Sequence, residues 1–276
     1  MKQQIVAIMY DFDKTLSTTD MQNYSFIPAL GMTPEEFWGE TGKFSEKTGV
    51  ERILSYMYMM ILKCREKNIK LTREFLRNCG KEILYHPGVE TWFDRINKYG
   101  LEKNVIVEHY LVSSGTTEIL EGCSIYKYFT KVYGCEFLYE NDVPVWPKLA
   151  INYTQKTQFF FRIAKGVTEV SNDEGVNAKT DKQKLRIPYQ NIVYLGDGMT
   201  DVACMTLVNK NNGHSIGVYT DKNEASVKQI KDDKRVTYIA KADYTEGSKM
   251  DRIMKYIIDE VSTNAMNQER ESLLND

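Results

Sequence analysis

Three apolar runs along the chain stop abruptly at small or acidic residues. Residues 5–10 read IVAIMY, and Asp11 and Asp13 follow at once. Residues 105–112 end in Ser113, Ser114 and Gly115, and residues 192–195 end in Gly196, Asp197 and Gly198. Short unbroken apolar runs of this kind predict strands covered on both faces, as in a parallel sheet. In open α/β sheets the loops at the carboxyl ends of such strands share one edge, where ligands bind. The pattern therefore predicts that three separate segments deliver polar groups to one place. Residues 215–219 predict a fourth, weaker strand.

Between residues 17 and 99 the apolar spacing becomes helical. Pro34, Glu35 and Glu36 follow Thr33, the signature of a capped helix start. Residues 49–67 carry Ile53, Met57, Met60, Ile61 and Cys64 on related faces, and residues 72–84 repeat the pattern behind Thr72. The YMYMM stretch, 56–60, is read as core, against the apolar floor of a pocket. Asp20 is expected to cap a helix over 21–26. Tyr24, Phe26, Phe37 and Trp38 are expected to pack the core of this helical segment, against lining an apolar pocket. His86-Pro87-Gly88 breaks the pattern, and a further helix over 89–98 is expected to close at Gly100. Residues 17–85 are thus an all-helical insertion, and 1–16 with 86–276 form the main domain. Further on, 135–139 and 143–146 predict a hairpin around Glu140-Asn141-Asp142. Residues 157–164 and 251–261 predict helices. Arg162 is expected to pair with a nearby acid and steady its helix. Residues 169–184 predict a polar surface excursion, and 262–276 a frayed polar tail.

Composition narrows the function classes. The 276 residues are 42% hydrophobic with a net charge of −2, usual for a globular chain. That charge offers no concentrated basic surface, so nucleic acid is excluded as a general partner. No apolar run approaches the roughly 18 residues of a membrane span, and Asp11 and Asp13 cut the first one short of a signal peptide. The five cysteines have no CxxC spacing, which predicts reduced thiols in a cytoplasmic protein. None of the three histidines pairs with a cysteine at zinc-ligand spacing.

The candidate chemistry lies in the acidic pairs. Asp11 and Asp13 repel each other at a strand end unless a cation or a shared proton offsets them. Asp197 and Asp201 form a second pair on a glycine-bearing loop. All four offer oxygen and no soft ligand accompanies them, which selects a hard cation such as Mg²⁺.

Asp11-Phe12-Asp13-Lys14-Thr15-Leu16 resembles the DxDxT(L/V) signature of the haloacid-dehalogenase-like phosphohydrolase superfamily. Val112-Ser113-Ser114-Gly115 is similar to its second motif, and Gly196-Asp197-Gly198-Met199-Thr200-Asp201 to its fourth, GDGxxD. Lys156, just before a helical run, is the best match to the third-motif lysine, with Lys148 and Lys165 as alternatives. The resemblance implies an α/β fold with a Rossmann-like parallel sheet core. It also implies an inserted all-helical cap domain of the phosphoserine-phosphatase-like type. It makes Asp11 the nucleophile and Asp13 the proton donor and later base. Ser113, beside Ser114 and Gly115, would bind a phosphoryl oxygen, and Thr15 would brace the loop. Lys156 would balance charge between Asp11 and phosphate. Asp11, Asp197 and the backbone carbonyl of Asp13 would hold Mg²⁺, supported by Asp201 directly or through water. Asp13 and Asp197 together separate this chain from metal-free dehalogenases.

The implied substrate is a small phosphate ester, because a closing cap excludes bulky ones. In phosphoserine phosphatases an acid near the place of Asp20 meets the substrate ammonium and a cap arginine meets its carboxylate. Arg52 and Arg65 are candidates for that arginine, against a reading as solvated helix residues. The expected activity is a Mg²⁺-dependent phosphomonoesterase. The alternatives are phosphoserine phosphatase proper, a phosphotransferase, or a non-catalytic magnesium- and phosphate-binding protein. Oligomeric state is not legible.

Overall fold

The apolar runs form the centre of a seven-stranded sheet in a computed structural model that describes residues 3–275. In chain order the strands are β1 (Gln4–Tyr10), β2 (Val105–Thr116), β3 (Lys131–Glu140), β4 (Val143–Leu149), β5 (Ile192–Gly196), β6 (His214–Tyr219) and β7 (Tyr238–Lys241). Their spatial order is β4-β3-β2-β1-β5-β6-β7. All neighbours are parallel except β4, which runs back along β3. The chain builds outward from β1 to one side, then returns to β5 on the other. The crevice at the carboxyl end of β1 is therefore the switch point where an α/β sheet opens. Val6 to Tyr10 and Ile192 to Leu195 are fully buried, which is why these segments read as unbroken apolar runs. The β3–β4 turn, Asn141 and Asp142, has φ of 50° and 61°, the left-handed pair of a tight hairpin.

The insertion after β1 is helical: α1 (Phe26–Ala29), α2 (Pro34–Thr48), α3 (Arg52–Glu66) and α4 (Arg73–Gly80). Thr33 and Glu36 make a reciprocal capping box on α2, and Glu51 caps α3. Gly49, at φ 72°, ends α2, so α3 starts later than the apolar spacing suggests. Phe26, Phe37 and Trp38 stack edge to face inside the insertion. Tyr56, Met57, Met59 and Met60 are buried, whereas Tyr58 is exposed and stacks on Phe44. The inserted helices cap the crevice. The chain enters and leaves through a crossing in which Thr18 N–H donates to Leu84 O and His86 N–H to Leu16 O.

The remaining helices are α5 (Val89–Glu102), α6 (Thr117–Leu120), α7 (Thr157–Lys165), α8 (Asp173–Asn177), α9 (Val202–Lys210), α10 (Glu224–Asp232) and α11 (Lys249–Asn275). Several differ from expectation. Gly100 lies inside α5 rather than closing it: a Cβ there would stand 2.6 Å from Val107 Cγ2 and 2.8 Å from Val105 O. The helix ends at Glu102, and the chain turns away at Asn104, whose φ is 57°. Residues 262–275 continue α11 instead of fraying, because neither glycine nor proline interrupts 249–275. The expected helix over 21–26 is a 3₁₀ turn, Met21–Asn23, followed by α1, and Asp20 makes no cap hydrogen bond. Helix α4 ends at Gly80, short of residue 84, where it meets α6. A Cβ on Gly80 would lie 2.0 Å from Ile119 O, and one on Gly122 would lie 1.8 Å from Arg77 O. Arg73 bridges Glu121 and Glu136, so α4 is tied to the sheet side of the molecule. The 169–184 excursion contains α8, and two cations of α7 hold its backbone. Arg162 donates to Glu169 O and Val170 O, and Lys165 to Val176 O and Ala178 O. The acid near Arg162, Asp173, stands farther off at 3.4 Å. All five cysteines are buried and unpaired. Among the described residues no helix is long and apolar enough to cross a membrane.

Candidate active site

The hydrogen-bond ladder between β1 and β5 runs one residue past the strand, because Asp11 N–H donates to Leu195 O at 2.9 Å. That bond fixes Asp11 on the floor of the crevice. The chain then folds over itself: Thr15, Leu16 and Ser17 all donate to Phe12 O, with Lys14 at φ 62°. His86 Nε2 lies 3.2 Å from Lys14 O, and the buried Tyr244 hydroxyl donates to Thr15 O. The turn thus parts the two carboxylates. Asp11 faces inward, while Asp13 accepts Met21 N–H at 2.7 Å where the insertion begins.

Asp11 and Asp201 meet through one ammonium. Lys156, at the start of α7, donates to Asp11 Oδ1 at 2.6 Å and to Asp201 Oδ1 at 3.0 Å. Asp201 also accepts from the Tyr194 hydroxyl at 2.7 Å and from Asp197 N–H at 3.1 Å. Thr15 Oγ1 donates to Asp11 Oδ2 at 3.3 Å. Asn223 Nδ2 donates to Asp197 O at 2.7 Å and holds that loop from beyond β6. Neither Tyr194 nor Asn223 stands out in the sequence, since each is an ordinary strand or loop residue until the fold brings it to the aspartates. Lys148 pairs instead with Glu136 on the surface, and Lys165 holds backbone carbonyls.

Ligand oxygens of Asp11, Asp197 and Asp201 lie within 4.8 Å of one another. The carboxylate of Asp13 is outside that cluster. Burial pushes Asp11 up to about 6, with Lys156 opposing and Asp201 adding to the rise. Burial, Asp11 and Asp201 push Asp197 up to about 8. Asp13 is raised well above the carboxylate range by burial, then by Asp20 and Asp11. Burial pulls the Lys156 ammonium down, but Asp11 and Asp201 outweigh it and hold it well above its usual value. One ammonium therefore does not balance the carboxylates, and protons compete to make up the difference. An all-oxygen set short of positive charge fits a hard divalent cation.

Gly196 makes this geometry possible. A Cβ there would stand 2.4 Å from Asp201 Cγ and 2.5 Å from its Oδ2. Gly196→Ala is expected to push Asp201 off Tyr194 and Lys156. Titration calorimetry should show divalent-cation affinity falling at least about tenfold, the size expected when a group orienting a ligand is displaced. The circular dichroism spectrum should stay native.

A cavity of about 570 Å³ opens above the cluster, between core and cap. Asp11, Asp13, Asp197, Lys156 and Ser114 face it from the core; Trp38, Arg52 and Tyr56 face it from the cap. The two serines at the end of β2 make different contacts. Ser113 is fully buried, and its Oγ accepts Gly115 N–H at 2.9 Å. Ser114 lines the cavity, and its Oγ is buried without a partner. The register of β2 against β3 slips between Val112 and Thr116, so strand alternation does not tell which serine faces out. Gly115 packs on Met21, 2.1 Å from where its Cβ would be. The Ser114 carbonyl accepts the Tyr56 hydroxyl at 2.6 Å, a direct cap-to-core bond. Arg65 is elsewhere, beside a separate hollow under the β3–β4 turn.

Comparison with known proteins agrees with this construction. An uncharacterized protein of Borreliella burgdorferi is 28% identical over 277 residues, covering 90% of this chain and 95% of that one. In fold the chain is similar to a HAD-family hydrolase of Salmonella enterica serovar Typhi. There the TM-score is 0.60 and the identity 13%, over 92% of this chain and 71% of that one. It is also similar to a substrate-bound phosphoserine phosphatase, with TM-score 0.55 and 14% identity over 92% and 99% of the two chains. The model of the haloacid dehalogenase-like hydrolase family matches residues 8–206, from within β1 through the Asp197–Asp201 loop. The buried aspartates and Lys156 fall inside that stretch, and the chain belongs to the haloacid dehalogenase-like hydrolase family, with the acidic cluster of its phosphatase-type members.

Proposed function

We propose that the protein is a Mg²⁺-dependent phosphomonoesterase that hydrolyses a small phosphate ester through an aspartyl phosphate on Asp11. The observation that carries this is Asp11 at the cavity floor, 2.6 Å from the Lys156 ammonium, with Asp13 lining the same cavity. Held by Asp11 and Asp197 with the Asp13 carbonyl, and supported by Asp201, Mg²⁺ would supply the charge that lets a carboxylate approach a dianionic ester. An Asp11 oxygen attacks phosphorus as the bond to the leaving oxygen breaks. Asp13, whose raised affinity for a proton suits a general acid, protonates that oxygen. Asp13 then takes a proton from water, which attacks the aspartyl phosphate and frees Asp11 and inorganic phosphate. Lys156 and the Ser114 hydroxyl hold phosphoryl oxygens. The proposed cap is 17–85 on a core of 1–16 and 86–276. Within it, α4 is tied to α6, and α3 to the end of β2 through the Tyr56 hydroxyl. Five buried thiols support a cytoplasmic setting.

Phosphate release from a panel of small esters tests the reading: release requires Mg²⁺ and stops with chelator. Release unaffected by chelator would sink it. The serines give a sharper check. Ser114→Ala removes a hydroxyl that has no partner, so thermal stability should hold while KM rises about tenfold, one hydrogen bond to a charged group. Ser113→Ala strands the Gly115 N–H and should lower stability by about 1 kcal/mol.

A further inference from the structure

The cavity has a charged wall that the proposed chemistry does not use. Lys14 and Asp20 stand on it from the loop after β1, and Arg52 from the first residue of α3. Lys14 Nζ is 2.7 Å from Asp20 Oδ1, and Asn23 Nδ2 is 3.5 Å from Asp20 Oδ2. Both oxygens of Asp20 therefore already have donors. Lys14 holds this pair from φ 62°, a left-handed backbone that disfavours any residue with a Cβ. Glycine or asparagine would suit that turn better, and among the described residues the Lys14 side chain makes no other hydrogen bond or ion pair. Arg52 is exposed, and among the described residues it has no hydrogen-bond or ion-pair partner.

On this wall an ammonium meets no unpaired acid, because Lys14 already holds Asp20; the other acids of the cavity, Asp11, Asp13 and Asp197, belong to the reaction centre. The wall offers an anion one unengaged guanidinium, whose planar fork suits a carboxylate or phosphate. We infer that the substrate is a phosphate ester bearing a second acidic group and no ammonium, with Arg52 reading the acid and the Lys14–Asp20 pair turning amino-esters away. This rests on the cavity being a phosphate-ester site.

Two esters on one carbon skeleton test it. 3-Phosphoglycerate carries a hydroxyl where O-phosphoserine carries an ammonium, and both carry a carboxylate. The full chain with Mg²⁺ should favour 3-phosphoglycerate in kcat/KM by about tenfold or more, the size of one unfavourable charge contact. Lys14→Ser frees Asp20 and should narrow that ratio by raising the phosphoserine value. Arg52→Gln should lower both carboxylate esters about tenfold relative to p-nitrophenyl phosphate, which has no second acid. Phosphoserine turned over as well as or better than 3-phosphoglycerate overturns the inference. So does a ratio unmoved by Lys14→Ser, or an Arg52→Gln loss shared equally by p-nitrophenyl phosphate. Calorimetry on Asp11→Asn protein, which binds without turning over, reads the same preference independently. A binding preference without turnover of any ester overturns the hydrolase reading alone; turnover without the preference overturns this inference alone.

Discussion

Asp11→Asn protein releases phosphate roughly ten-thousand-fold more slowly or worse, the scale of losing a covalent nucleophile, and folds normally. The two effects separate for a physical reason. Asp11 is nine-tenths or more buried and shares one ammonium with Asp201, and its affinity for a proton rises to about 6 even so. Its charge is tolerated by the fold more than it stabilises it. A neutral amide of the same shape keeps the packing and relieves repulsion with Asp197 and Asp201. The melting temperature should therefore hold or rise. Mass spectrometry after incubation with p-nitrophenyl phosphate should find phosphate on Asp11 in the parent chain and none in the variant. Asp13→Asn gives the complementary result. p-Nitrophenolate leaves without a proton, so the first step proceeds, but the water that follows has no base. One equivalent of p-nitrophenol should appear in a burst, with the phosphoenzyme persisting. An Asp11→Asn protein that still turns over at a tenth of the parental rate would remove Asp11 from the role of nucleophile.

Much of this site was legible because it sits at the ends of buried strands. An apolar run that stops at Asp11, or at Gly196 and Asp197, has few readings other than a parallel strand opening into a polar crevice. What the sequence left open depends on side-chain direction, which spacing does not encode. Ser113 and Ser114 differ only through a register slip in β2. Lys148, Lys156 and Lys165 are equivalent cations until the fold carries one to Asp11 and spends the others on Glu136 and on backbone carbonyls. Asp20 reads as a helix cap until the left-handed turn at Lys14 brings that ammonium to it. The same limit explains α4 and α11. Gly80 and Gly122 show their purpose only once two helices touch through them. The polar end of α11 lacks an apolar stripe yet contains nothing that stops a helix.

Lys156→Met is expected to damage fold and chemistry together, in a way that distinguishes charge balance from catalysis. Methionine fills much the same space without an ammonium. Asp11 and Asp201, both buried, then face each other and Asp197 with no cation between them. Removing one partner of a buried ionic network costs about 3–5 kcal/mol. For a chain of this size that is a fall in melting temperature of about 10 °C. The second substitution Asp201→Asn removes a carboxylate that the lysine served, so the double variant should be more stable than the single one. A double variant no more stable than Lys156→Met alone would show that the network is not what Lys156 supports. Added Mg²⁺ should also recover part of the lost melting temperature, because a dication can replace the missing charge among the same oxygens. Activity should not recover with it. Loss of a fixed cation beside the transferred phosphoryl group costs roughly 10²–10³ in rate. Neither the neutral amide of Asp201→Asn nor a refilled metal site puts a donor back where Lys156 Nζ stands. Stability returning without turnover would place Lys156 at the phosphoryl group itself, whereas turnover returning alongside stability would reduce it to a counter-ion of the fold.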